Sequence, residues 1–132
     1  MDRERPPTLL ESFRYAGLGV LYVLRTQRNF RIHLVVTGGV VLLALWVGLS
    51  RSAWAILALT VGRVLIAEMF NTAAETLVDL ASPRYHPLAK LVKDLAAGAV
   101  LLSALIAVIV GVLLLGSPLV EKLQTMGLLE LF

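Results

Sequence analysis

Three long apolar runs constrain this chain more than any other feature. They cover roughly residues 32–49, 53–81 and 91–116, and hydrophobic residues make up 58% of the 132-residue sequence. A helix needs about 20 residues to cross about 30 Å of hydrocarbon. Each run is therefore predicted to be a transmembrane helix, and residues 1–132 a single all-α membrane domain. The sequence contains no cysteine, which excludes disulfides and thiolate metal sites.

A fourth helix is predicted ahead of these spans, over about residues 8–28. Leucines and Phe13 recur there at near-helical spacing, with charged residues between them. That pattern is typical of an amphipathic helix lying on a membrane surface. The first apolar run starts only near Ile32, so it is expected to stay as an anchor rather than to be cleaved as a signal peptide.

The basic residues predict how the chain is oriented. They concentrate before the first span and between the second and third spans, at Arg3, Arg5, Arg14, Arg25, Arg28, Arg31, Arg84, Lys90 and Lys93. The positive-inside rule then places the N-terminus and the 82–94 loop in the cytoplasm. The formal net charge of +3 is explained by basic residues that contact anionic lipid headgroups, and no nucleic-acid partner is expected.

The segment EMFNTAAETLVD, residues 68–79, places acidic groups at the end of an apolar run. Glu68, Asn71, Glu75 and Asp79 fall at about 0°, 300°, 340° and 20° around a helix, which makes one stripe. Lone carboxylates facing lipid would cost several kcal/mol, so the stripe must face protein, water or an ion. The alternative, a capped helix end with solvated acids, explains Asp79 but not Glu68.

The next segment, PLAKLVKDLAAGAV, adds Lys90, Lys93 and Asp94 where the third span enters the membrane. Lysine binds phosphate as a compact charge, and Mg²⁺ prefers carboxylate and phosphate oxygens. Acids, lysines and a cytoplasmic location together indicate phosphoryl transfer, although Lys90 also fits a lysine that only snorkels to the headgroups. Neither a Walker A motif nor a kinase-type GxGxxG is present, so side chains and metal must hold the phosphates.

These motifs resemble those of a known family. ExxNTAxExxVD, SPxYHPLAKxxKDxAAGAV and RNFRIH (residues 28–33) are similar to the signature of the small prokaryotic diacylglycerol kinase and undecaprenol kinase family, from about Phe13 to Gly111. The resemblance implies a homotrimer of three-span subunits, each with an amphipathic surface helix, in the bacterial cytoplasmic (inner) membrane. Active sites would form between neighbouring subunits near the cytoplasmic face.

The resemblance also implies roles for matching residues. Glu68 resembles the general base that takes the proton from the lipid hydroxyl, with Asn71 positioning the reacting groups. Glu75 resembles the Mg²⁺ ligand that bridges to ATP, while Asp79 is expected to be structural. Further nucleotide-side positions are Tyr15, Gln27, Tyr85, His86, Lys93 and Asp94. Family members often carry a metal-binding glutamate where this chain has Gln27; a neutral amide is a weaker Mg²⁺ ligand, so the number of metal ions stays open.

The expected function is ATP- and Mg²⁺-dependent phosphorylation of a membrane lipid alcohol. Undecaprenol, giving undecaprenyl phosphate, is the favoured acceptor, and diacylglycerol, giving phosphatidic acid, is the alternative. A rival from another class is a small transporter or channel component that uses the carboxylates as a relay. Such a relay needs polar groups across the bilayer, and outward of Glu68 the second span offers only Thr60 and Arg63. His33 is interpreted as an interfacial residue, and Arg63 has no predicted partner.

Overall fold

The architecture is entirely helical over the part of the chain that the computed structural model describes, residues 6–127. The elements are α1 (Leu9–Thr26), α2 (Arg28–Val47), α3 (Arg51–Ala81) and α4 (Pro87–Thr125). By length and composition, α2, α3 and α4 are each able to cross a membrane. The predicted all-α architecture with three apolar spans is therefore confirmed.

The first two helices are separated by a single residue. A capping box starts α1, in which the Glu11 amide donates to Thr8 Oγ1 at 3.3 Å and the Thr8 amide donates to Glu11 Oε2 at 2.7 Å. Gln27 ends α1 and precedes α2 with extended backbone angles, φ −98° and ψ 113°. The chain thus turns at Gln27, and α2 begins at Arg28, earlier than the predicted start of the first span at residue 32.

A tight turn at residues 48–50 joins α2 to α3. Gly48 has φ +79°, a conformation that glycine adopts without steric cost, and its amide donates to the Ala44 carbonyl at 3.1 Å. Ser50 then caps α3 by accepting from the Ala53 amide at 3.3 Å. These caps explain why α2 ends at Val47 and α3 starts at Arg51, each two residues from its predicted boundary.

Helix α4 is longer than the predicted span at both ends. Pro87 occupies its first position, where the missing amide hydrogen costs nothing, so the helix begins four residues before the predicted start at residue 91. It also continues from Gly116 through Pro118 to Thr125. A proline inside a helix removes one backbone hydrogen bond, which this apolar helix tolerates without ending.

The apolar core lies at the end of the bundle where α2 turns into α3. Ala44, Leu57 and Leu115 form its buried centre. Closer to the other end, α3 buries Glu68 and Thr72 instead of apolar side chains. Helices α3 and α4 form the most extensive helix pair, and Arg63 reaches across it to donate from Nη2 to the Ser103 carbonyl at 3.3 Å. Arg63 therefore has a partner that its sequence context did not indicate.

Candidate active site

Glu68 is a buried carboxylate in the middle of an apolar helix. Its neighbour one turn on, Thr72, is also buried and donates a hydrogen bond from its hydroxyl to the Glu68 carbonyl at 3.0 Å. That bond pairs the threonine hydroxyl with the Glu68 backbone and does not involve the Glu68 carboxylate. Burying a carboxylate costs free energy unless the group is paired with a charge or a hydrogen-bond donor. The burial of Glu68 therefore needs a structural or functional explanation.

The residue that faces Glu68 is His33 on α2. His33 Nε2 lies 3.2 Å from Glu68 Oε1, and the two side chains are 25% and 3% exposed, respectively. The ring is not aligned to donate, so within residues 6–127 Oε1 has no hydrogen-bond partner. This contact could not be predicted from the sequence, because thirty-five positions separate the two residues and no local spacing relates them.

One turn further along α3, Asn71 and Glu75 interact directly. Asn71 Nδ2 donates a hydrogen bond to Glu75 Oε1 at 3.1 Å, and both residues are half-buried. The amide therefore orients the carboxylate through its nitrogen. Its own oxygen, Asn71 Oδ1, is buried and has no hydrogen-bond partner in the described part of the chain.

The Asn71–Glu75 pair suits Mg²⁺ in the kind of donor atom it offers. An unpartnered amide oxygen lies beside a half-buried carboxylate, and Mg²⁺ binds such oxygens. Among the described residues, no group of three or more His, Cys, Asp or Glu side chains could hold a metal by itself. Magnesium is commonly held by one or two carboxylates together with substrate phosphates, so a nucleotide would complete the ligand set.

A second group of predicted residues surrounds an open pocket of about 280 Å³ beside the α3–α4 loop. The nucleotide-side positions Tyr85, His86 and Lys93 all line it, together with Asp79 and Lys90. His86 also has a local role, because its Nδ1 accepts a hydrogen bond from the Leu88 amide at 3.2 Å and so caps α4. Tyr85 is 80% exposed and free to meet a ligand.

Lys90 and Lys93, near the start of α4, are both paired in this structure. Lys93 donates to Asp79 Oδ1 on α3, and Lys90 donates to Asp94 Oδ2 one turn along its own helix. The Asp79 contact joins two helices across the loop, which is what a structural Asp79 would provide. Asp94, by contrast, is held by Lys90 and does not line the loop pocket.

Two predicted residues are not joined to either group. Tyr15 lies on α1 and is 59% exposed, and Gln27 occupies the α1–α2 junction with no side-chain capping bond. Neither side chain makes a hydrogen bond to the acidic stripe within residues 6–127. The chain alone thus forms two partial sites, one around Glu68 and Glu75 and one around the loop pocket.

Comparison with known proteins identifies the family. The profile described as prokaryotic diacylglycerol kinase matches residues 14–115, a range that includes all the candidate-site residues described in this section. The chain belongs to this family. The resemblance noted in the sequence is therefore confirmed, and so is the prediction of a lipid kinase, at the level of the family.

The names of relatives of this prokaryotic diacylglycerol kinase family member specify different lipid substrates. A diacylglycerol kinase of Synechocystis is 54% identical over 116 residues, which span 87% of this chain and 66% of that protein. An undecaprenol kinase of Bacillus subtilis is 42% identical over 104 residues, covering 79% of this chain and 85% of the relative. A diacylglycerol kinase of Escherichia coli is 29% identical over 109 residues, with 83% and 89% covered.

Proposed function

We propose that this protein transfers the γ-phosphoryl group of ATP to the hydroxyl of a membrane lipid alcohol. Family membership supports the reaction class, and the burial of Glu68 is the observation that carries the assignment of the reacting centre. An almost fully buried carboxylate with an unpartnered oxygen, at the apolar end of an acidic stripe, is positioned to meet a hydroxyl that arrives from the lipid phase.

The chemistry assigns Glu68 as general base. The lipid oxygen attacks the γ-phosphorus, a new O–P bond forms, and the bond from the γ-phosphorus to the bridging oxygen breaks with its electron pair going to ADP. The hydroxyl proton passes to Glu68. A base must lie within hydrogen-bond reach of the proton that it takes, so we propose that the lipid hydroxyl binds against the Glu68 carboxylate.

Glu75 and Asn71 are proposed to hold Mg²⁺ together with the nucleotide phosphates. Magnesium neutralises the charge that develops on the phosphates during transfer. The support in this chain is the Asn71–Glu75 hydrogen bond of 3.1 Å, which fixes the carboxylate, and the unpartnered amide oxygen beside it. Gln27 is a second candidate ligand from the α1–α2 junction.

The remaining nucleotide contacts are proposed at the loop pocket. Lys93 would bind phosphate oxygens, while Tyr85 and His86 line the same 280 Å³ space. Asp94 and Tyr15 are kept as nucleotide-side residues by family resemblance. Because Lys93 is bonded to Asp79 in the structure, it must exchange this partner for a phosphate when the nucleotide binds.

Undecaprenol is the acceptor that we propose first. The segments RNFRIH and SPRYHPLAK resemble the undecaprenol kinase branch, and the Bacillus subtilis relative carries that name. Diacylglycerol is the second candidate, favoured by the name of the Synechocystis relative at 54% identity. Both lipids present a hydroxyl at the end of a long apolar body, so a base at the depth of Glu68 serves either one.

A direct assay tests the reaction and the acceptor together. The purified protein, in bilayers that contain either undecaprenol or diacylglycerol at equal mole fraction, is given γ-labelled ATP and Mg²⁺. Label extracted into the organic phase identifies the acceptor. We expect transfer to undecaprenol at the higher kcat/KM. Faster transfer to diacylglycerol would reverse the order of the candidates, and no transfer to either lipid would reject the proposed function.

The Glu68→Gln variant tests the base. It keeps the size of the side chain but removes the proton acceptor, so we expect transfer to fall by about 10²-fold or more. Thr72→Ala is a matched control, because it removes a buried hydrogen bond one turn away without changing the carboxylate. Near-normal turnover by Glu68→Gln would reject the assigned base.

We further propose a homotrimer with α1 on the membrane surface and the 82–94 loop in the cytoplasm. The support is family resemblance, the basic residues of those segments, and the exposure of Leu9, Leu10 and Phe13 on α1, at 76%, 81% and 68%.

Because the sequence has no cysteine, single cysteines report topology directly. Ala81→Cys should react with an impermeant maleimide only from the cytoplasmic side and Ser52→Cys only from the outer side. The mass of the detergent-solubilised complex checks the trimer.

A further inference from the structure

We propose that His33 is a positioning residue for Glu68: its Nε2–H donates to Glu68 Oε1 during the reaction and leaves Oε2 to face the lipid hydroxyl. This inference rests on the proposed role of Glu68 as the base and extends it to α2. Nothing in the spacing of the acidic stripe points to His33, because the stripe lies entirely on α3. The packing of α2 on α3 brings His33 next to Glu68.

Two observations of the structure support the assignment. Nε2 of His33 is already 3.2 Å from Oε1, which is within donor–acceptor reach. Oε1 is buried and lacks any other hydrogen-bond partner in the described part of the chain. An unsatisfied buried carboxylate oxygen is costly, so rotation of the imidazole into line is favourable. Catalytic hydrogen bonds that are misaligned without substrate commonly tighten in the complex.

Fixing one carboxylate oxygen has a consequence for catalysis. A glutamate side chain that rotates freely presents its basic lone pairs to the hydroxyl only part of the time. A bond from α2 to Oε1 holds the plane of the carboxylate, so that Oε2 keeps one direction relative to the incoming hydroxyl. His33 does not touch the lipid or ATP in this scheme, and its effect reaches the reaction through Glu68.

The test compares two substitutions that differ in one property. His33→Gln keeps an N–H donor at about the position of Nε2, whereas His33→Leu has a similar bulk and no donor. We expect His33→Leu to lower kcat about tenfold or more, with the KM for ATP within about twofold of the original. His33→Gln should recover most of kcat. Thr37→Val, one turn further along α2, serves as the control and should leave both constants unchanged.

A double variant separates this inference from the function on which it rests. If His33 acts through Glu68, the Glu68→Gln/His33→Leu protein should be no slower than Glu68→Gln alone. Equal loss in His33→Gln and His33→Leu, or normal kcat in His33→Leu, would overturn the donor role. If Glu68→Gln is inactive while His33→Leu is normal, only the inference about His33 fails; if Glu68→Gln is active, the proposed base fails instead. Thermal unfolding of each variant in detergent checks that the fold is intact.

Discussion

Lys93 on α4 donates a hydrogen bond to Asp79 on α3, and this contact closes the loop that carries Tyr85 and His86. The two side chains are 37% and 67% exposed, so solvent screens the pair and it contributes at most about 1 kcal/mol to stability. A lysine held this weakly is available to exchange its partner. If Lys93 binds phosphate as proposed, the phosphate would compete with the Asp79 carboxylate for this lysine.

Removing the acid tests this competition. In Asp79→Asn the lysine no longer has a carboxylate partner, so we expect the KM for ATP to fall, by no more than about fivefold, with kcat unchanged. Lys93→Met should raise the same KM by about tenfold or more. Lys122→Met, near the opposite end of α4, provides a charge-matched control. A higher KM in Asp79→Asn would instead assign Asp79 the task of positioning Lys93.

Glu75→Gln tests the proposed metal ligand. The amide oxygen of glutamine still accepts the hydrogen bond from Asn71, so the local structure should persist while the negative charge is lost. We expect the Mg²⁺ concentration for half-maximal activity to rise by about tenfold or more, because Mg²⁺ binds a neutral amide less well than a carboxylate. Glu121→Gln, distant on α4, controls for net charge. An unchanged Mg²⁺ titration would remove Glu75 from the ligand set.

Gln27→Glu should have the opposite effect on Mg²⁺. The Gln27 side chain makes no capping bond, so glutamate can replace it without disturbing the end of α1 or the start of α2. We expect the added carboxylate to lower the Mg²⁺ concentration needed for half-maximal activity. The measurement is the same titration in the presence of fixed ATP. If the curve does not move, Gln27 lies away from the metal in this protein.

The helices and the acidic stripe were predictable because both depend on local spacing. Twenty-residue apolar runs determine the spans, and positions three to four apart determine which acids share a face. Asn71 and Glu75 satisfy that rule, and the structure joins them by a hydrogen bond. The helix ends were less predictable: Gly48 and Ser50 set one turn through backbone conformation, and Pro118 did not end α4.

Contacts between distant segments were the part that the sequence could not reveal. His33 and Glu68 meet because α2 packs on α3, and Arg63 finds the Ser103 carbonyl because α3 packs on α4. Such contacts depend on helix rotation and crossing, which hydrophobic periodicity in these uniformly apolar spans leaves undefined. Motif RNFRIH marked the segment that contains His33, but a motif alone does not name the partner.

His86 combines a structural task with a proposed ligand contact, and two substitutions separate them. Its Nδ1 caps α4 by accepting from the Leu88 amide at 3.2 Å, and asparagine is a favourable cap while alanine is not. We expect His86→Ala to lower the stability of the protein by about 1 kcal/mol and His86→Asn to preserve it. If the imidazole also contacts the nucleotide, both variants should raise the KM for ATP. Thermal unfolding and ATP titration measure the two effects independently. A normal KM for ATP in His86→Asn would show that the imidazole does not contact the nucleotide. His86 would then have only its structural role as the cap of α4.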